Sequence, residues 1–340
     1  MQKDLVLALS FIKGVGSKRI IKLADYLTGI SGGGDEFSCS DLRDAGAKLG
    51  IKSFASLDPD VLSRCRDAAA RIIEESARQS VSFITFADPA YPRELLDAVD
   101  DHGKCNPPCV LWYRGDISRL SMDCCAVIGT REPTSEGVDA GKFLGGFLAR
   151  NGINVVSGLA KGCDTAAHQG ALKAGGVTTA FLSTGLDWNA VYPRQNQDLA
   201  RKIVDGGGLL LSEYHIGQAT GRFELVARDR LQAGVSSAVF VLQSASNGGS
   251  MHAARAALRS RRLCYVLTYK NDRLNRDPVT AGNRELLKEG ALAVSGRDFK
   301  ENSAELLGKL KIRAAGAGEA SGGLDAPGDT GSAGEMELFS

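Results

Sequence analysis

The segment Gly158–Gly162, with the sequence GLAKG, combines small side chains and a lysine in the kind of turn that binds phosphate groups. An apolar segment, Ile153–Ser157, precedes it, and a segment with helical spacing that is opened by Asp164 follows. Glycines let the backbone approach an anion, and the first turn of a helix offers N–H donors that lack intrahelical partners. The pattern therefore predicts a strand, an anion-binding loop and a helix.

Small residues recur where other predicted strands end, in Gly129–Pro133, Ser183–Asp187, Ser212–Tyr214 and Ser244–Ser250. Any one of these glycines is also compatible with a tight turn of positive φ that binds nothing. The recurrence of glycine, hydroxyl and cation at one edge instead favours an electropositive, anion-binding surface. A row of phosphate contacts indicates that the ligand is a polymer.

The elements that position these loops alternate between strand and helix from residue 124 onward. Near-continuous apolar runs predict buried strands at Cys124–Ile128, Ile153–Ser157, Thr178–Leu182, Gly208–Leu211, Ala238–Leu242 and Leu263–Leu267. Helices are predicted between them at Ser135–Arg150, Thr165–Ala174, Arg194–Asp205, Phe223–Ala233 and Ser250–Ser260. This alternation is typical of an α/β fold in which helices cover both faces of a parallel sheet. Loops that follow the strands then gather at one edge.

Residues 1–80 are predicted to form a small helical domain of SAM or helix–hairpin–helix type. The turn Gly14–Gly16 in it fits either a phosphate-binding hairpin or an ordinary tight connection. Three consecutive glycines within Ser31–Asp35 indicate a flexible loop. Asp58–Gln79 is a predicted helix with Pro59 near its start. Short strands are predicted at Ser82–Phe86 and Val110–Tyr113.

The remaining boundaries follow from composition and charge. Residues 81–300 are assigned to the α/β domain, and residues 301–340 to an acidic tail rich in Gly, Ala and Ser that is predicted to be disordered. The net charge of the chain is only +1. Gly221–Arg262 nevertheless holds seven arginines and two acidic residues, while Arg313–Ser340 holds one arginine and five acidic residues. The acidic tail therefore offsets the positive charge of the preceding segment in the total for the chain. A basic segment of this kind suits a polyanionic partner.

Several classes of protein are disfavoured by missing patterns. No apolar run is long enough to span a bilayer and no secretion signal opens the chain, so we expect a cytoplasmic protein, without a membrane partner, whose eight cysteines are reduced. A phosphate loop of the form G-x-x-x-x-G-K-[ST], a dinucleotide fingerprint and a G-x-S-x-G elbow are all lacking. We expect no cofactor and no metal site.

Two side-chain groups near the loops have more than one interpretation. Asp164 and His168 lie four residues apart on one helical face, where they fit either an acid–base pair or structural support of the loop. Arg228 and Arg230 would diverge on a continuous helix, so that one could face the ligand edge and the other an acid such as Glu224.

The order and spacing of the motifs over about residues 83–299 closely resemble the DNA-processing protein A family (DprA, also called Smf). The matching segments include Phe86–Pro92, Leu111–Asp116, Ile128–Arg131, Val155–Gly162, Gly185–Asp187, Tyr192–Pro193, Leu211–Tyr214, Arg228–Arg230, Gly249–Ser250 and Gly282–Asn283. The resemblance implies an extended Rossmann-like domain that binds single-stranded DNA. The DNA-contacting residues that it implies are Arg131, Lys161, Arg228 and Arg230, with Gly129, Gly158, Gly162, Gly185, Gly249 and Ser250 at phosphates.

The resemblance further implies a binding protein without catalysis that protects incoming DNA and helps load a RecA-type recombinase during natural transformation, and a possible homodimer. The chain departs from the family at Asp229, where asparagine is usual, and at Cys163, where isoleucine is usual. An alternative is a nucleotide phosphoribohydrolase, because Gly248–Ser250 resembles the glycine turn of that class, although Met251–Ser260 holds no acidic residue. A second alternative is an adaptor that has lost DNA binding.

Overall fold

One large β-sheet organises the computed structural model, which describes residues 1–30, 36–100, 102–218, 221 and 223–310. The loop predicted within Ser31–Asp35 and the tail beyond residue 310 lie outside the described residues. The strands found in the described ranges are β1 (Ser82–Thr85), β2 (Val110–Gly115), β3 (Cys124–Ile128), β4 (Asn154–Ser157), β5 (Thr178–Leu182), β6 (Leu209–Ser212), β7 (Ala238–Val241), β8 (Leu263–Thr268) and β9 (Leu292–Ser295). Their order in the sheet is β1-β2-β6-β5-β4-β3-β7-β8-β9.

Helices precede the sheet and alternate with its strands. They are α1 (Lys3–Ser10), α2 (Ser17–Ile30), α3 (Cys39–Lys48), α4 (Lys52–Ala55), α5 (Pro59–Arg78), α6 (Ser135–Arg150), α7 (Cys163–Lys173), α8 (Gln197–Asp205), α9 (Phe223–Ala227), α10 (Asp229–Val235), α11 (Ser250–Arg259), α12 (Ala281–Lys288) and α13 (Phe299–Leu310). Among the residues described, none of these helices combines the length and apolar character needed to cross a membrane.

The predicted parallel, Rossmann-like sheet is confirmed for β3 to β8, and β9 extends it in parallel. At the other edge β2 pairs antiparallel with both β1 and β6, so this strand runs against the others. All five residues of β3 are buried, as expected for a strand covered by helices on both faces. From β3 the chain runs outward through β4, β5 and β6, and later returns to β7 on the other side. The carboxyl ends of β3 and β7 therefore form a topological switch point, where ligands bind in folds of this kind.

The N-terminal helices pack onto the antiparallel edge of the sheet. The apolar run of α1, Leu5–Leu9, is buried in the same core cluster as Phe83 of β1 and Trp112 of β2. The carboxylate of Asp58 caps α5 by accepting the N–H of Asp60, and Pro59 occupies the first turn. The turn at Gly14 has φ of +80° and lies exposed between α1 and α2. A phosphate-binding role for that turn stays a prediction.

The continuous helix predicted over Phe223–Ala233 is wrong, because the segment breaks into α9 and α10 at Arg228. The side chain of Arg228 turns into the interior and donates hydrogen bonds to the carbonyl oxygens of Gly158 and Phe181. These partners lie far away in the sequence, so the local pattern carries no sign of them. The geometry expected for Arg228 and Arg230 on a continuous helix therefore does not apply.

The boundary predicted at residue 301 is also wrong, because α13 continues to Leu310. Phe299, at the start of α13, packs edge-on against Phe143 and Phe147 of α6, with ring centroids 5.2 and 4.9 Å apart. Leu306 and Leu310 are buried on the same helix. Their helical spacing stabilises a segment whose overall composition is polar.

Replacing Phe299 with alanine is expected to lower the free energy of unfolding by about 3 kcal/mol, because the ring is buried between two others. Chemical denaturation measures this loss. Lys300→Ala is the matched control, since that side chain is exposed on the same helix. Equal stability of both variants would show that α13 does not belong to the folded core.

Candidate functional site

The loop Gly158–Gly162 follows β4 and is held by the side chains of Asp164, Asn196 and Arg228. The Oδ2 atom of Asp164 accepts the N–H groups of Gly158 and Ala160 at 3.1 and 3.2 Å. The Nδ2 atom of Asn196 donates to the carbonyl of Leu159 at 2.8 Å. Burial raises the pKa of Asp164, while the charge of Arg228 lowers it. The loop backbone is thus ordered in advance, and Lys161 is exposed on it.

Two glycines of this loop are required by its geometry. Gly162 has φ of +76°, and a Cβ there would collide with the backbone of the β3 loop. A Cβ on Gly158 would overlap the guanidinium of Arg228. The fold alone therefore requires glycine at both positions, whether or not they contact a ligand.

His168 lies beneath the loop and is fully buried. The Thr178 hydroxyl donates to the carbonyl of Val155, so it accepts the Nδ1–H of His168 at 2.7 Å. Burial, aided by the charge of Arg228, lowers the pKa of His168 to about 3. The imidazole is therefore neutral and ties α7 to β5, and Asp164 holds the loop. This arrangement fits the structural interpretation of the two residues better than the acid–base one.

The β3 loop, Gly129–Pro133, is fixed against both of its neighbours. The N–H of Thr130 donates to the carbonyl of Gln243 at 2.7 Å, and the N–H of Cys163 donates to the carbonyl of Thr130 at 3.1 Å. Arg131 stands exposed on this loop, as Lys161 does on the next. Neither cation has an ion pair with an acid among the described residues.

The β7 loop leads into α11 through Gly248, Gly249 and Ser250. The hydroxyl of Ser250 donates to that of Ser244 at 2.8 Å, and the N–H of Ser244 donates to Asn283 at 2.9 Å. Gly249 is exposed, and a Cβ there would meet open space. In the first turn of α11 the N–H groups of Met251 and His252 donate to the carbonyls of Gly248 and Gly249 at 3.1 Å, so the N–H of Ser250 is the donor that this helix start can offer at the switch point.

Arg228 and Arg230 are both buried, with 6% and 4% of their surface exposed. The guanidinium of Arg228 bonds the ends of β4 and β5, and its Nε lies 3.5 Å from Asp229 Oδ1. Arg230 forms a salt bridge of 2.6 Å with Glu213 and donates to the carbonyls of Asn106 and Ala227. Arg228 still borders the surface described next, whereas Arg230 serves the packing of the loops beneath it.

Two adjoining cavities lie over the ends of β3, β4 and β7. We call the larger, of about 390 Å³, the central cavity; Gly129, Arg131, Asp229, Gln232, Gly249 and Ser250 are among the residues that line it. The smaller, of about 180 Å³, is the side cavity, and it is lined by residues that include Gly158, Lys161, Tyr192 and Pro193. Arg131 and Arg228 border both cavities. Seven of the ten predicted contact residues thus come together here.

The other three predicted contact residues lie elsewhere. Gly185 packs against the backbone of His215 after β5 and borders neither cavity. Gly162 shapes the turn beneath the β3 loop, and Arg230 is buried at Glu213.

Tyr192 is a residue of this surface that sequence reasoning did not single out. Its side chain is 51% exposed and borders the side cavity together with Lys161. An aromatic ring of this kind can stack on a base. The Tyr-Pro pair that follows the β5 loop was the available signal, but exposure of the ring follows only from the fold.

The chain is similar to a known family and to several of its members. The family model described as DNA recombination-mediator protein A matches residues 82–304. DNA processing protein DprA of Streptococcus pneumoniae is 33% identical over 222 residues, which cover 65% of this chain and 73% of that protein. Protein Smf of Synechocystis is 36% identical over 191 residues, which cover 55% of this chain and 46% of the relative. The chain spans about half the length of the Smf proteins of Synechocystis and Escherichia coli.

Two solved structures share the fold. The X-ray structure of DprA from Streptococcus pneumoniae matches with a TM-score of 0.68 and 27% identity, over 88% of this chain and 95% of that one. The second is DNA processing protein A from Helicobacter pylori, described as having a unique single-stranded DNA binding mode. It matches with a TM-score of 0.56 and 29% identity, over 67% of this chain and 96% of that one.

The buried carboxylate of Asp229 makes the stability of the protein depend on pH. Burial raises the pKa of Asp229 to about 7, Asp164 adds to this, and Arg228 and His252 oppose it. Between about pH 4 and pH 7 the folded protein therefore binds the extra proton, and its free energy of unfolding falls as the pH rises. Asp229→Asn removes this titration. From pH 5 to pH 8 the variant should gain about 2 kcal/mol in stability relative to the parent protein.

Denaturation of both proteins at pH 5 and pH 8 measures this relative gain. Asp205→Asn is the control, because that residue is exposed at the end of α8. A difference in stability between Asp229→Asn and the parent that is the same at both pH values would contradict the shifted pKa.

Proposed function

The chain belongs to the DNA recombination-mediator protein A family, and from this premise we propose that it binds single-stranded DNA along the strand ends of its sheet. The observation that carries the proposal is the pair of exposed cations, Arg131 and Lys161, beside two adjoining cavities at the switch point. The single-stranded DNA binding described for the Helicobacter pylori relative supports the choice of ligand. The proposal contains no catalytic step.

The surface suits a flexible strand because its binding groups are distributed among separate small features. Arg131 and Lys161 offer charges to successive phosphates, and the start of α11 offers the N–H of Ser250. The backbone of both loops is already ordered by Asp164, Asn196 and Gln243, so little conformational entropy is lost on binding. Contacts of this kind are made to the phosphates of the DNA backbone and not to its bases, so the affinity should depend steeply on salt.

The proposal extends to the fate of the bound strand. In this family context we propose that the protein protects incoming DNA and passes it to a RecA-type recombinase during natural transformation, and that it acts as a homodimer. Family membership supports this step. Capture of purified recombinase by the protein, with and without bound strand, tests it.

Lys161→Ala is expected to weaken binding of a single-stranded oligonucleotide roughly fivefold at 100 mM salt. It should also lower the salt dependence by about one phosphate contact, a slope change of roughly 0.7. A fluorescence anisotropy titration at several salt concentrations measures both quantities. Lys173→Ala is the matched control, since Lys173 is exposed at the far end of α7. Parent-like affinity and slope for Lys161→Ala would remove Lys161 from the site.

Tyr192→Ala is expected to weaken binding about tenfold, because stacking on one base contributes about 1–3 kcal/mol. Tyr192→Phe keeps the ring and should bind within about twofold of the parent protein. Since the ring carries no charge, the salt slope should not change in either variant. The same titration tests this, and equal affinity of the alanine variant would show that the ring does not stack on the strand.

A further inference from the structure

Gln232 carries an unused hydrogen-bond acceptor at the central cavity. Only 1% of the residue is exposed, and its Oε1 atom has no hydrogen-bond partner among the described residues. Its Nε2 atom donates to Asp229 Oδ1 at 3.0 Å. Both residues line the cavity. A buried acceptor without a partner destabilises the protein, so its presence at a cavity points to a ligand that donates.

The orientation of the amide follows from the chemistry of its neighbour. At pH 8, above its raised pKa of about 7, the carboxylate of Asp229 is ionised and only accepts hydrogen bonds, so the NH₂ group of Gln232 faces it. The Oε1 atom is then left as the acceptor. Oε1 and the carboxylate of Asp229, whose Oδ1 accepts from Gln232 and lies 3.5 Å from Arg228 Nε, are the acceptors that α10 gives the cavity.

The other walls of the central cavity fit the remaining parts of a nucleotide. Ile128, Leu225, Val226 and Ala253 supply apolar surface, against which the flat face of a base can lie. The start of α11, which follows the uncovered Gly249 and packs beside α10, supplies the N–H of Ser250. The volume of about 390 Å³ falls within the range of pockets that hold small ligands.

We propose that the central cavity takes one unstacked nucleobase that bears an exocyclic amino group, and that Gln232 and Asp229 accept hydrogen bonds from that group. This inference deepens the proposed function and rests on it. A thymine has no exocyclic amino group and offers only its ring N3–H, which is flanked by two carbonyl oxygens that the same acceptors repel. The rest of the surface binds only phosphates. The central cavity therefore adds a preference for bases that carry an amino group. A nucleotide of the bound strand and a free mononucleotide share the required chemistry.

The test compares the affinities of (dC)20 and (dT)20 for the whole protein at pH 8 and constant salt. We expect the parent protein to bind (dC)20 about fivefold more tightly, and Gln232→Met to bind the two strands equally. Methionine has a similar volume and lacks the acceptor, and thermal unfolding verifies that this variant is folded. Equal affinity of the parent protein for both strands, with binding still dependent on salt, would overturn the inference and leave the proposed function standing.

Competition with free dCMP and dTMP distinguishes a nucleotide of the bound strand from a free mononucleotide as the ligand of the cavity. This experiment needs no variant. Stronger competition by dCMP for a bound fluorescent strand supports the cavity as a base site within the strand-binding surface. If no strand binds at all, the proposed function fails, and direct calorimetric titration with the two mononucleotides decides the inference. A preference for dCMP then supports a site for free nucleotides, and equal or absent binding overturns it.

Discussion

The buried guanidinium of Arg228 is the interaction on which the ligand edge depends. It donates to the carbonyl of Gly158 at the end of β4 and to that of Phe181 in β5, and it pairs with Asp229. A buried charge is costly unless it is paired and hydrogen-bonded, so these partners have to stay together. The break between α9 and α10 occurs at this residue. The positive charge of Arg228 also acts on two buried neighbours. It lowers the pKa of Asp164, which burial raises, and it lowers the pKa of His168, which burial lowers as well.

The structure separates the groups that hold the edge from the groups that face solvent. Asp164, Asn196 and Gln243 bond loop backbone, and Arg230 is engaged by Glu213. Arg131 and Lys161 remain exposed on loops that are already ordered. Of the four cations predicted to contact DNA, Arg228 and Arg230 are therefore buried, because they hold the edge and do not face solvent. A resemblance identifies the positions of a motif, and only packing shows which of them support the surface.

Much of the fold could be predicted because the strands of the parallel sheet are buried on both faces. Two of the predicted apolar runs form strands with the predicted bounds, namely Cys124–Ile128 and Thr178–Leu182. The direction of β2 could not be predicted, because a short strand carries no sign of its pairing. Likewise α13 was hidden by its polar composition, and only the spacing of Phe299, Leu306 and Leu310 marks it.

The candidate site was predictable to the extent that its chemistry is local. Glycine, lysine and an aspartate within one strand–loop–helix unit indicate Gly158–Asp164 without further information. The aspartate holds the loop and does not cap α7, whose N-cap is Gly162. The inward turn of Arg228 was beyond sequence reasoning, because it depends on carbonyl groups 70 and 47 residues away. The exposure of Tyr192 and the unpaired acceptor of Gln232 also arise only when distant loops meet.

The central claim, that the strand ends of the sheet form the DNA surface, is tested most directly by amide hydrogen exchange with and without a saturating single-stranded oligonucleotide. The account predicts slower exchange on binding in residues 129–132, 158–162 and 247–251, which come from three separate loops. Protection confined to the exposed turn at Gly14–Gly16 between α1 and α2 would contradict it and place the strand on the N-terminal helices.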